Sequence, residues 1–499
     1  MNLLPENKHS DILLVAVNAR YSHCSFAARS LIANLGELMP QAAMLECDLE
    51  ITPVQLAERI VARHPRIVGF SVYLWNVRLV ESAARVLRLV APEIKLVAGG
   101  PEITTDYPQV ALFDAIITGE GESSFHAFCA HAISHPLTAP SSPFPTPNSQ
   151  LLTPHSLCLP YILYTDEDIA RRTVYVEASR GCPYACGYCT SAGSGLRLIP
   201  LTRLLPEFDK LWRRGLRRFK FLDRCFNAAA DHACAVLDFF LERVTPDAAR
   251  LHFEIQPDRL HPDVATRLAR FPANTLHLEV GVQTINPQVA AAVGRNADTA
   301  RALENLRYLT SLTSVVVHAD LIFGLPGEDE ASFASGFNTL VAECDPPELQ
   351  INILKGLPGT RFVREADRLG LVFSPEPPYE LLRSDAMDFE TLCRIQRLAR
   401  CWELVHNRGH FPEEVRRLHA LAPHNPYAVY SDLADRISAA EGKLFAISRP
   451  RLAALLDEFL FQQEGRNQIS ETQILVNGKL QAVACNGLQF TDSPTFHHS

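Results

Sequence analysis

From Asp11 to Ile133, short apolar runs alternate with stretches whose apolar residues recur every three or four positions. The runs are Ile12–Val17, Ala43–Glu46, Ile67–Val72, Lys95–Ala98 and Ala115–Thr118; the helical patterns lie around Phe26–Leu38, Pro53–Arg63, Arg78–Leu89 and Ser123–Ala132. Parallel strands need helical crossovers and are covered on both faces, so the pattern predicts an α/β, doubly wound, flavodoxin-like unit over residues 1–135. The alternation resumes with six further runs: Thr173–Ala178, Phe219–Leu222, Leu251–Ile255, Leu276–Val282, Val315–Ile322 and Leu349–Leu354. Helical patterns such as Ala228–Glu242 and Pro287–Thr310 fill the gaps. Six units are too few for an eight-stranded closure, so residues 166–373 read as a partial β/α barrel. Between the units, Pro136, Pro140, Pro143, Pro145, Pro147, Pro154 and Pro160 mark a Pro-rich linker over 136–165. Residues 374–499 read as a mostly helical C-terminal domain, with patterns at Phe389–His406, Glu413–Leu421 and Arg451–Gln463 and no chemical motif.

Ligands of parallel sheets sit beyond the carboxyl ends of the strands. In the first unit those loops are Ser71-Val72-Tyr73-Leu74-Trp75-Asn76, Gly99-Gly100-Pro101-Glu102 and Gly119-Glu120-Gly121-Glu122. Paired glycines let a backbone approach a ligand or take positive φ, although ordinary tight turns use them too.

Composition narrows the classes. The chain has 499 residues, 47 Lys+Arg against 56 Asp+Glu for a net charge of −9, and 47% hydrophobic residues, which is the profile of a soluble globular protein of about three domains. No run of 18 apolar residues and no secretory pattern at Met1–Lys8 stands in the sequence, so the expected location is the cytoplasm, without a membrane span. The acidic balance argues against nucleic acid as partner. The basic run Arg213-Arg214-Gly215-Leu216-Arg217-Arg218-Phe219-Lys220 reads as the solvated end of a helix running into a strand.

Thirteen cysteines, an odd number without an export signal, argue against a disulfide framework. Three of them stand in Gly181-Cys182-Pro183-Tyr184-Ala185-Cys186-Gly187-Tyr188-Cys189, directly after the first strand of the second unit. At this cysteine content, chance would supply that spacing only about 0.01 times. Close thiolates bind zinc or an iron–sulfur cluster. Structural zinc wants four protein ligands, and no partner pair accompanies these three. A [4Fe-4S] cluster with one free iron fits better, leaving zinc and incidental thiols as alternatives.

Cys-x₃-Cys-x₂-Cys after the first strand of a partial barrel, with aromatic Tyr188 before the third cysteine, resembles the radical S-adenosylmethionine superfamily. The resemblance implies that Cys182, Cys186 and Cys189 hold the [4Fe-4S] cluster. It also implies that the free iron binds S-adenosyl-L-methionine, which the reduced cluster cleaves to a 5′-deoxyadenosyl radical. It further implies a reducing electron donor of flavodoxin or ferredoxin type. Other segments match at the expected strand ends: Leu222-Asp223-Arg224 without the usual Gly-Gly-Glu wording, Glu254 in Phe253-Glu254-Ile255-Gln256-Pro257, and Asp320-Leu321-Ile322-Phe323-Gly324-Leu325-Pro326-Gly327-Glu328. These would put Tyr188, Asp223, Glu254, Ile322 and Gly324 against S-adenosylmethionine. Gln283 sits at the fourth strand end, where it could face substrate. Any of Asp223, Glu254 and Gln283 could instead simply cap a strand.

A doubly wound domain ahead of such a barrel resembles the cobalamin-binding domain of cobalamin-dependent radical S-adenosylmethionine enzymes. Ser71, Gly99, Gly100, Gly119 and Glu120 would then hold cobalamin. The family's Asp-x-His-x-x-Gly is replaced here by Tyr21-Ser22-His23-Cys24-Ser25-Phe26. Without an acidic partner to orient it, His23 is a poor cobalt ligand, and base-off cobalamin with no protein histidine on cobalt is expected. Tyr73 and Trp75 would crowd its lower face or pack a domain seam. The C-terminal part, with Lys355-Gly356-Leu357-Pro358-Gly359-Thr360 and Pro377-Pro378-Tyr379-Glu380, resembles an extension of unknown role in one subset of these proteins, expected to cover the barrel mouth. The implied activity is methylation of an unactivated carbon or phosphorus centre of a small-molecule or peptide substrate. Cobalamin-assisted rearrangement or cyclisation is the alternative. Methylthiolation, with a second cluster from Cys24, Cys47 and Cys129, and a non-catalytic iron–sulfur redox sensor are weaker ones.

Overall fold

The computed structural model describes residues 10–134, 152–312 and 314–475, the last ten of these as backbone. Met1–Lys8 and Pro136, Pro140, Pro143, Pro145 and Pro147 lie outside the described residues.

In the first unit the chain runs β1 (Ile12–Asn18), α1 (Phe26–Ala33), β2 (Ala42–Asp48), α2 (Pro53–Val61), β3 (Ile67–Ser71), α3 (Val77–Val90), β4 (Lys95–Gly99), β5 (Ala115–Ile117) and α4 (Glu122–Ser134). The strands are parallel in the order β2-β1-β3-β4-β5, as a flavodoxin-like sheet requires. All seven residues of β1 are buried. Leu13, Val15 and Val17 join one apolar layer and Ile12, Leu14 and Ala16 the other, the period-two alternation of a strand covered on both faces.

The second unit opens with α5 (Asp166–Arg171), β6 (Val174–Val176) and the short antiparallel pair β7 (Ser179–Arg180) and β8 (Arg197–Leu198), followed by α6 (Leu201–Arg213). Then come β9 (Arg218–Phe221), α7 (Ala230–Leu241), β10 (Arg250–Ile255), α8 (Pro262–Leu268), β11 (Leu276–Gln283), α9 (Pro287–Ala292), α10 (Thr299–Ser311), β12 (Val315–Phe323), α11 (Glu330–Cys344) and β13 (Glu348–Ile353). Strands β6, β9, β10, β11, β12 and β13 form one open parallel sheet in that order, the arrangement of the expected partial barrel. Burial alternates along them. Leu251, Phe253, Leu278, Val280, Ala319 and Leu321 pack under the helices. His252, Glu254, His277, Glu279, His318 and Asp320 therefore share the opposite face.

Three local differences from the sequence pattern have physical causes. The helix expected over Phe26–Leu38 stops at Ala33: the Asn34 amide donates to the Ser30 carbonyl at 2.8 Å and the Cys158 carbonyl at 3.0 Å, and a 3₁₀ turn over Gly36–Gln41 follows. Pro287–Thr310 breaks into α9 and α10 around Gly294, whose φ is +78°. The described end of the expected linker is packed rather than extended. Tyr161 and Tyr164 are each 1% exposed, and the Tyr161 hydroxyl donates to the Glu177 carbonyl at 3.1 Å.

The chain continues through α12 (Arg361–Arg364), β14 (Val372–Phe373), β15 (Leu381–Arg383), α13 (Phe389–Trp402), α14 (Pro412–Leu421), α15 (Pro426–Glu441) and α16 (Arg449–Leu475). Helix α15 has no counterpart in the sequence pattern above. One turn of π-helix, Glu403–Asn407, extends α13. The basic run is the end of α6 entering β9: Arg213 pairs with Asp209 at 2.8 Å and Arg217 lies over the Trp212 ring at 4.1 Å. Among the described residues, no helix is long and apolar enough to cross a membrane.

Candidate active site

A cavity of about 610 Å³ opens where the carboxyl ends of the two sheets meet, within the range of small-molecule and cofactor sites. Ser71, Gly99, Gly100, Gly119 and Glu120 all line it from the first sheet. Glu177, Arg180, Gly181, Leu222 and Arg224 line it from the second, with Pro358 and Gly359 from the segment after β13. Gly100 has φ +120°, and a Cβ there would lie 2.3 Å from the Val72 carbonyl oxygen. Only glycine closes that turn. Gly181 is equally constrained: φ is +79° and a Cβ would meet the Gly195 oxygen at 1.9 Å.

Gly181, Thr190 and Ser191 touch the cavity at the two ends of the cysteine loop. Cys182 and Cys186 are each 8% exposed and Cys189 is half-buried. Burial pushes the Cys182 and Cys189 thiols up, while a backbone N–H on each, from Tyr184 and Ser191, and the Arg224 guanidinium favour the thiolate. Cys182 and Cys189 both lie within electrostatic reach of Cys186, and Arg295 faces Cys186. The loop is held by backbone bonds from Gly187 to Val293 at 2.8 Å, from Gly193 to Tyr184 at 2.9 Å and from Phe362 to Gly187 at 3.1 Å. Among the described residues, no three His, Cys, Asp or Glu side chains gather closely enough to hold a single metal ion.

Tyr188, Asp223, Glu254, Ile322 and Gly324 are not on the cavity wall. Tyr188 is half-buried, edge-on to Phe362 at 6.1 Å, and its hydroxyl accepts from Arg295 at 3.5 Å. Asp223 is 2% exposed and turned back on the strand ends: its carboxylate accepts from the Ala178 N–H at 2.9 Å and the Ser179 hydroxyl at 2.5 Å. Burial raises it to about 6. The Glu254 carboxylate has no hydrogen-bond partner among the described residues, and burial, with Glu279 beside it, raises it to about 7. Ile322 shares that sheet face, and Gly324 follows β12 with φ +85°. Gln283 ends β11 at φ +68°, beside a bulge in the pairing with β12. A non-glycine residue held there is backbone strain of the kind concentrated at ligand sites.

His23 does not line the cavity: its Nδ1 is 2.5 Å from the Tyr175 hydroxyl and its ring stacks on that tyrosine. Tyr73 lines the cavity and stacks on Trp75 with centroids 4.5 Å apart; the Trp75 indole donates to the Val17 carbonyl at 3.0 Å. The reading of the sequence missed Arg180. This half-buried residue bonds Glu177 at 2.8 Å, Glu122 at 2.8 Å, Glu120 at 3.3 Å and the Ser30 hydroxyl at 3.2 Å, joining the glycine loop of the first sheet to the start of the cysteine loop. Glu120 also pairs with Arg197. Burial raises Glu177, on the cavity wall, to about 8. The only trace of this hub in the sequence is an arginine directly before Gly181-Cys182.

Residues 12–129 match the B12 binding domain, residues 176–338 the radical SAM superfamily, and residues 367–479 a protein of unknown function (DUF4080). The cobalamin-dependent radical SAM methyltransferase TokK of Streptomyces tokunonensis is 24% identical over 338 residues, 62% of this chain and 49% of TokK. The chain thus spans about half the length of the curated relatives it matches. Among solved structures the fold is similar to the radical S-adenosylmethionine methyltransferase TsrM of Kitasatospora setae, with cobalamin and a [4Fe-4S] cluster bound. That match has a TM-score of 0.58 and 17% identity, and covers 93% of this chain and 99% of TsrM. The cobalamin-dependent S-adenosylmethionine radical enzyme OxsB aligns with a TM-score of 0.61 and 12% identity, over 94% of this chain and 81% of OxsB. The chain thus carries a B12-binding domain, a radical SAM domain and a C-terminal domain of unknown function, in that order.

Proposed function

We propose that the chain is a cobalamin-dependent radical S-adenosylmethionine methyltransferase acting on an unactivated carbon or phosphorus centre. One observation carries the reading: the glycine-rich loops of the B12-binding sheet and both ends of the cysteine loop open onto the same cavity. When bound, cobalamin supplies a methyl carrier and a reduced [4Fe-4S] cluster supplies the electron that cleaves S-adenosylmethionine. Cys182, Cys186 and Cys189 are the proposed cluster ligands. The backbone N–H groups at Cys182 and Cys189 and the cations Arg224 and Arg295 suit a thiolate-held anionic cluster.

Ser71, Gly99, Gly100, Gly119 and Glu120 form the cobalamin wall in this assignment, with Gly100 closing its turn against the Val72 backbone. His23 stays with Tyr175, which supports cobalamin without a protein histidine on cobalt. Tyr188, Glu254, Ile322 and Gly324 face S-adenosylmethionine in this assignment, with Asp320 on the same sheet face and the Gln283 amide folded beside Gly281. Asp223 acts by fixing Ala178 and Ser179 at the root of the cysteine loop. The proposed division is 1–135, 136–165, 166–373 and 374–499, with the packed residues near Tyr161 belonging to the barrel. Twelve cysteines among the described residues are free thiols, which supports a reducing compartment, the cytoplasm, where a flavodoxin- or ferredoxin-type donor would reduce the cluster.

The test is anaerobic reconstitution with hydroxocobalamin, dithionite and S-adenosylmethionine, followed by mass spectrometry of S-adenosylhomocysteine and 5′-deoxyadenosine. The expected outcome is S-adenosylhomocysteine formed only with cobalamin present. Accumulation of 5′-deoxyadenosine alone would replace methyl transfer by rearrangement.

A further inference from the structure

Strand β13 is the outer edge of the second sheet, and its backbone groups alternate in direction. Leu354 donates to the Phe323 carbonyl of β12 at 3.0 Å, so even-numbered residues bond inward. The odd-numbered ones point out. At one end the Asn407 side chain takes that outer edge as a neighbouring strand would, accepting from Leu349 N–H at 3.1 Å and donating to its carbonyl at 3.0 Å. At the other end Leu381 N–H donates to the Leu354 carbonyl at 2.9 Å. Between these stops the outward N–H and C=O groups of Ile351 and Ile353 have no hydrogen-bond partner among the described residues. They border a slot of about 250 Å³ between β13 and α13.

The slot is lined by two cations and two carboxylates. Glu403 accepts from Asn407 at 3.1 Å and pairs with Arg408 at 3.5 Å, and Glu380 accepts from Gln396 at 3.5 Å. Its two cations, Lys355 and Arg400, make no side-chain hydrogen bond or ion pair among the described residues. Two pairs of main-chain donors and acceptors at strand spacing, with free cations beside them, are the features by which a sheet edge takes up an extended peptide.

We propose that this slot binds an extended peptide segment bearing a carboxylate, which adds as a short strand along Ile351 and Ile353 while its carboxylate meets Arg400 and Lys355. As the docking site of a substrate, this rests on the methyltransferase reading; as a peptide site it does not. The carboxylate is an acidic side chain or the C-terminus of the peptide.

The test uses the full-length protein, reconstituted with cluster and cobalamin, and a positional-scanning hexapeptide library on beads in two forms, free acid and C-terminal amide. Members should retain the protein, lose retention when their main-chain amides are N-methylated at alternate positions, and slow hydrogen exchange at Ile351 and Ile353. Lys355→Gln/Arg400→Gln should reduce retention about tenfold or more at unchanged iron and cobalt content, and each single variant should give a partial loss. Retention confined to free acids assigns the C-terminus; equal retention of both forms with acidic residues enriched assigns the side chain. Retention no greater than that of the double variant, or retention indifferent to N-methylation, overturns the proposal. Because the readout is binding and exchange, it stands apart from whether S-adenosylhomocysteine is formed.

Discussion

Arg29 is 1% exposed, yet it bonds Glu46 at 3.1 Å and Asp168 at 2.8 Å, so one guanidinium ties α1 and β2 of the first unit to α5 of the second. Arg172 closes the square, reaching Glu46 at 2.8 Å and Asp168 at 2.9 Å. Burial alone would raise both carboxyls, but the two arginines hold Glu46 and Asp168 below their ordinary values. Folded values below unfolded ones give stability that is complete above the ordinary carboxylate range and lost as pH falls through the folded values. Arg29→Met leaves two buried carboxylates short of a partner and should cost about 3–5 kcal/mol, read as a urea midpoint at pH 7. The stability lost by the wild type below about pH 4 should be smaller in the variant. At Gly100 the effect should be local instead. Gly100→Ala forces a Cβ against the Val72 oxygen at an unfavourable φ, and the expected result is loss of cobalamin uptake, by absorbance, with the iron content retained.

At the scale of elements, Asn407 in the π turn occupies one end of the open sheet edge, bonding both main-chain groups of Leu349. Asn407→Ala strips two hydrogen bonds from an edge strand. It should cost about 1–3 kcal/mol and speed exchange of the Leu349 amide, measured by hydrogen exchange with mass spectrometry. The strands were legible because their burial imposes continuous or alternating apolar runs: β1 differs from its expected run by one residue, Asn18, and β11 follows strict alternation. Helix ends were less so. Gly294 divides an apolar periodicity that continues on both sides of it, and α15 buries Tyr427, Tyr430, Leu433 and Ile437 within a weakly amphipathic stretch. The candidate site divides in the same way. Cys182, Cys186 and Cys189 announce themselves by spacing, and the glycine loops by position after strands. Asp223 follows the end of β9, but which way its carboxylate turns depends on Ala178 and Ser179, 45 and 44 residues away in the chain.

For the whole molecule, the proposed cobalamin and cluster regions belong to different sheets. Cys186→Ala should therefore abolish the iron–sulfur absorbance and electron paramagnetic resonance signal while cobalamin still binds; loss of both together would contradict the separation. What couples the regions is Arg180. Its guanidinium bonds Glu120 and Glu122 of the first unit and Glu177 of the second, one residue before Gly181 and two before Cys182. No periodicity or spacing encodes a bond that spans 60 residues and two domains, which is why the sequence left it unmarked. Arg180→Gln keeps a hydrogen-bonding side chain but removes the charge that balances three carboxylates. The cysteine loop and the glycine loops should then drift relative to one another, by an amount that matters because a misplacement of about 1 Å can cost roughly 10²-fold in rate. The expected variant loads iron and cobalt normally and still forms 5′-deoxyadenosine, while cobalamin-dependent S-adenosylhomocysteine falls by about that factor. Arg180→Lys, with charge but no fork, should recover only part of it. A proportional fall in both products would instead reduce Arg180 to a stabilising contact.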